Sequence, residues 1–62
     1  MKLVQVKGPN FVAAFVVGDN GMVERAAPIL RKHVMGKPDA EARRACRLKR
    51  WTVEEIEGDH DA

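Results

Sequence analysis

Residues 43–51, RRACRLKRW, gather Arg43, Arg44, Arg47, Lys49 and Arg50 around Cys46, the only cysteine, and end on Trp51, the only tryptophan. Three kinds of chemistry are open to such a stretch. Guanidinium forks at short spacing match the oxygens of phosphates and carboxylates, so the arginines could grip a nucleic-acid backbone or an acidic protein surface. A thiol among cations can lose its proton near neutral pH and attack an electrophile. An exposed indole can stack on a nucleobase.

Catalysis has the least support. A nucleophile needs a base within reach, and no histidine lies close to Cys46 in the sequence. A buried thiol acting as a small hydrophobe is the simpler role. His33 falls near the end of an expected helix, where partial positive charge is favoured. The two histidines, His33 and His60, stand 27 positions apart with no second cysteine to complete a metal site. Asp59-His60-Asp61 sits in a polar tail that offers a cation no pre-formed geometry. Glu54, Glu55 and Glu57 could act as paired catalytic carboxylates only inside a pocket, for which 62 residues leave little room. Gly8, Gly18, Gly21 and Gly36 each fit a turn or a helix end rather than a phosphate loop. No enzyme activity, metal or cofactor is therefore expected. The candidate binding residues are Arg43, Arg44, Arg47 and Arg50, with Lys37 widening the basic patch and Trp51 either packed or stacked.

What positions these side chains is an order of strands and helices. Residues 3–7 alternate and are rich in β-branched side chains, which predicts a strand. Gly8-Pro9-Asn10 is turn punctuation. Residues 11–17 predict a second strand, with Phe11, Ala13, Phe15 and Val17 on one face and Val12, Ala14 and Val16 on the other. A strand apolar on both faces belongs inside a sheet. Residues 18–21, GDNG, suit a tight hairpin, and residues 22–26 a short third strand, so the first three strands should form an antiparallel meander. Residues 27–36 predict a helix of about two turns, with Pro28 at its first position, Leu30 and Val34 as its buried stripe and Gly36 just beyond its end.

A second helix is expected over residues 38–49, with Asp39 and Glu41 at the positive end of its dipole. At about 100° per residue Arg43, Arg47 and Arg50 share one side with Arg44 beside them, while Ala42, Ala45, Cys46 and Leu48 occupy the other. The arginines thus form a stripe. In residues 51–56 the Thr52 and Glu55 spacing resembles a capping box, but the Trp, Thr, Val and Ile composition and the short remaining length favour a fourth strand. The expected fold class is α+β: a small antiparallel sheet in the order β-β-β-α-α-β, with two short helices packed on one face. Residues 1–57 form the single domain and residues 58–62 a disordered polar tail.

Composition sets the outer limits. At 45% hydrophobic and 32% charged residues the chain is globular in type. A 62-residue core is marginal, and one cysteine excludes an internal disulfide, so a second subunit or a larger partner is the remaining aid. Two helices cover one sheet face, yet the second strand is apolar on both. A second copy of the chain is the simplest cover for the other face, which makes a homodimer the expectation. No apolar run approaches the roughly 20 residues of a membrane span. The opening MKLVQ lacks the apolar block of a secretion signal, and with a lone thiol this points to the cytoplasm. The net charge of +2 hides a polarity. Residues 25–50 hold nine cations against Asp39 and Glu41, a local +7, and the remainder carries −5. Such a field governs partner choice more than fold.

The stretches VKGPNFVAAFVV, RAAPILRKHVMGK and LKRWTVEEI, taken in order, resemble small uncharacterised proteins of bacteriophage and prophage genomes. The similarity spans residues 2–56 and contains no active-site motif. In that pattern a glycine often precedes the tryptophan, where this chain has Arg50. The resemblance implies a phage accessory protein made in a bacterial cytoplasm. Such proteins commonly bind a host machine, defence nucleoproteins included. The functional expectation is accordingly a non-catalytic binder that presents its basic helix face to an acidic host protein or nucleoprotein. The alternative is a nucleic-acid binder that contacts phosphates through the same arginines, with an affinity that falls steeply as salt rises.

Overall fold

The β-branched run KLVQVK forms β1 (Lys2–Lys7), and VAAFVV runs antiparallel to it as β2 (Val12–Val17). In the connection the Gly8 N–H donates to the Phe11 carbonyl at 2.9 Å, and the Phe11 ring lies where a Cβ on Gly8 would have to sit. Glycine is required there by that close approach. The next turn is stabilised by Asn20, whose Oδ1 accepts from the Met22 N–H at 3.0 Å, and Gly21 takes φ 80°. It leads into β3 (Val23–Ala26), antiparallel to β2. α1 (Pro28–Val34) and α2 (Asp39–Leu48) follow, and the chain returns as β4 (Thr52–Glu57) beside β1. A computed structural model describes residues 1–57. The expected tail at 58–62, with its Asp59-His60-Asp61 cluster, lies outside the described residues.

The four strands make one antiparallel sheet in the order β3-β2-β1-β4. This is the α+β architecture that the sequence predicts, with the first three strands as a meander. Both helices lie on one face. Val4 and Val6 of β1, Phe15 and Val17 of β2, and Val23 of β3 meet Leu30 and Val34 of α1 and Ala42 and Cys46 of α2, all 2% exposed or less. Burying a side chain such as Phe15 or Leu30 contributes about 1.5–3 kcal/mol. Ala42 and Cys46 are small, so α2 lies close to the strands. Phe11, Ala13, Trp51 and Val53 close the rim of this core.

The boundaries differ from expectation in a few places, each for a local reason. Pro28 does occupy the start of α1, but Pro38 stands just before α2 as its N-cap rather than as its first residue. Met22 is not part of β3. It bridges to Pro38, and Val23 exchanges hydrogen bonds with the loop between the helices, from its N–H to the Lys37 carbonyl (2.9 Å) and to its carbonyl from the Gly36 N–H (3.2 Å). That loop turns through Gly36 at φ 76°. The edge strand is thereby pinned to the helical layer.

Candidate interaction surface

Ala42 and Cys46 fix which way α2 faces, because both are fully buried. Measured from their midline at about 100° per residue, Arg43 lies about 80° away, Arg47 about 120° in the same direction, Arg44 about 180°, and Leu48 about 140° the other way. The arginine stripe therefore divides. Arg43 leans over the edge of the core, and its side chain is only 21% exposed. Its Nε donates to Asp39 Oδ1 at 2.7 Å, one turn back, and its Nη2 donates to Glu55 Oε1 on β4 at 2.9 Å. Lys2 Nζ reaches the other Asp39 oxygen at 3.5 Å. These pairs tie α2 to both β1 and β4. The Glu55 and Asp39 hydrogen bonds raise the pKa of the Arg43 guanidinium above its ordinary value, against a smaller opposing effect of burial.

Arg44 and Arg47 point outward and make no ion pair among the described residues. Leu48 lies beside Arg44, one turn on and on the side away from Arg47, and is 75% exposed, the highest value among the large apolar side chains. Its expected place on the packed side does not hold. Three turns of helix cannot bring Ala42, Cys46 and Leu48 to one side, and the two smaller residues won the contact with the sheet.

Arg50 leaves the stripe as well. The helix ends at Leu48, Lys49 caps it, and Arg50 adopts φ 64°, the left-handed region that favours glycine. The Arg50 N–H donates to the Arg47 carbonyl at 2.8 Å and the Trp51 N–H to the Cys46 carbonyl at 3.2 Å, which is the Schellman pattern of a helix end. The pattern turns Trp51 inward. Its ring lies 5.0 Å from Phe11 and 5.4 Å from His33, near-perpendicular to both. Trp51 thus packs between Phe11 of the β1–β2 connection and His33 of α1, half-buried. Lys37 is exposed in the loop before α2.

The groups with potential reactivity are placed unlike a catalytic set. The Cys46 thiol is fully buried, and desolvation raises its pKa, the opposite of an activated nucleophile. His33 has its pKa lowered, first by desolvation and then by Lys49, Lys32 and Lys37. No cluster of three or more metal-ligating side chains occurs among the described residues. Among those residues no helix is long and apolar enough to cross a membrane.

Comparison with protein-family models, curated proteins and solved structures finds no match for this chain.

Proposed function

We propose that the protein is a non-catalytic binder that uses the outer face of α2, Arg44, Arg47 and Leu48, to dock on an acidic surface of a host protein or nucleoprotein. The observation that carries this reading is Leu48, 75% exposed beside Arg44 on an outer face that also holds Arg47, the two arginines having no ion pair among the described residues. An apolar anchor flanked by cations suits a protein surface, where a desolvated side chain supplies affinity and the neighbouring charges steer the approach. A nucleic-acid backbone would use the arginines but has no pocket for the leucine. Trp51 already packs against Phe11 and His33, so a nucleobase would have to compete with those contacts. Arg43, Arg50 and Lys37 support the surface rather than form its centre: the first braces the helix, the second ends it, and the third adds charge before it.

The test is capture from nuclease-treated bacterial lysate by the tagged chain, with Arg44→Glu/Arg47→Glu, Leu48→Asp and the exposed α1 variant Arg31→Glu run alongside. The same acidic protein should be recovered by wild type and Arg31→Glu and fall by about tenfold or more with the other two. A parallel anisotropy titration with duplex DNA should show no saturable binding. Recovery of nuclease-sensitive material alone, or equal capture by all four chains, overturns the proposal.

A further inference from the structure

The face of the sheet opposite the helices has no cover among the described residues. The register defines its members. Leu3 pairs with Val16, Gln5 with Ala14 and Lys7 with Val12, while Glu54 lies beside Gln5 on β4 and Arg25 beside Val16 on β3. All have their backs to the layer formed by Val4, Val6, Phe15 and Val17. Val12 is 63% exposed. Met1, Val16, Glu24 and Arg25 rim an open depression at one corner.

We infer that this face is the contact between two copies of the chain, stacked sheet on sheet about a two-fold axis parallel to the strands. The charges argue for a second copy. Glu54 lies on one edge strand and Arg25 on the opposite one. A two-fold axis along the strands reverses the strand order, so β4 of each copy lies over β3 of the other. Glu54 then faces Arg25 across the interface, and symmetry makes the pair twice. They stand one paired row apart along the strands, about 7 Å, which two long side chains can span. Between them β1 lies over β2 of the other copy. That arrangement sets Leu3 on Val16 and Gln5 on Ala14, with the Lys7 stem along Val12. The β1 and β2 members of the face thus meet one another in both directions across the axis, as an isologous interface requires.

The size of the face sets the strength. Four strands about 4.8 Å apart and about 20 Å long give roughly 400 Å² of projected face per copy. The two faces together then bury about 800 Å², below the usual size of a specific interface and in the range of weak association. The dimer is therefore concentration-dependent. It also places the two α2 surfaces on opposite outer sides, and it does not rest on what α2 binds.

Sedimentation equilibrium over a wide range of concentration tests this on the full chain. The mass of wild type should rise from 6.9 kDa towards twice that value. Glu54→Arg and Arg25→Glu should each weaken association by about tenfold, and the double exchange should recover most of the loss, since the reversed pair restores complementarity. Val12→Arg, which sets a cation against the other copy's Lys7, should remain monomeric with an unchanged far-ultraviolet dichroism spectrum. Arg44→Glu/Arg47→Glu should dimerise like wild type. A mass of 6.9 kDa at millimolar chain, a dimer indifferent to both reversals, or a double exchange no better than the single ones would overturn the inference.

Discussion

Arg50 and Arg43 show how much two side chains of the same type can differ within one basic stretch. At Arg50 the backbone decides: with φ at 64° the residue holds a position where glycine carries no steric cost, and it does so to complete the end of α2. Arg50→Gly should stabilise the fold by about 0.5–1 kcal/mol in urea denaturation, because the left-handed strain is removed; a loss of stability would show that the arginine side chain holds something in place. Helical phasing alone carried Arg50 onward into the stripe. At Arg43 long-range pairing decides. Its i,i+4 partner Asp39 was open to inspection in the sequence, but Glu55 lies 12 residues on and in another element. No local pattern reveals that contact, because it depends on where β4 is laid against β1.

At the scale of elements the alternation in β2 was readable: Phe15 and Val17 are buried and Val12 is exposed, as period-two spacing demands. The dry side of α2 was half readable. Ala42 and Cys46 hold the contact, but residue type alone assigned Leu48 to it, and geometry turned Leu48 outward. Trp51 could be placed only once the end of α2 was known, since the Schellman turn aims it at Phe11 and His33. The meeting of α1 with the exit of α2 also sets a pH response. His33 packs on Trp51 and faces Lys32, Lys37 and Lys49, so its neutral form is favoured in the fold. The unfolded chain takes up the proton first as the pH falls through 6.5. This contribution to stability is complete above that value and is lost below it, down to the folded-state pKa. Urea midpoints should therefore fall as the pH is lowered from 7 towards 5.5, and His33→Gln should flatten that part of the curve; an unchanged slope in the variant would remove His33 as the cause.

For the molecule as a whole, the +7 block of the sequence does not form one patch. The fold sends Arg25 to the open sheet face, ties Arg43 into the α2–β4 junction, ends α2 with Arg50, and leaves Arg44 and Arg47 facing outward, with Leu48 beside Arg44. Charge counting along the chain located the basic region, and only the three-dimensional arrangement separated the bracing arginine from the outward-facing ones. That separation is the core of the proposal, and urea denaturation of Arg43→Ala against Arg44→Ala/Arg47→Ala measures it most directly. Arg43→Ala should cost about 1 kcal/mol, since two partly shielded ion-pair hydrogen bonds are lost, whereas the outward pair should change stability by less than about 0.5 kcal/mol. Equal costs, or a larger cost for the outward pair, would mean that Arg44 and Arg47 are spent on holding the fold and are not available to a partner.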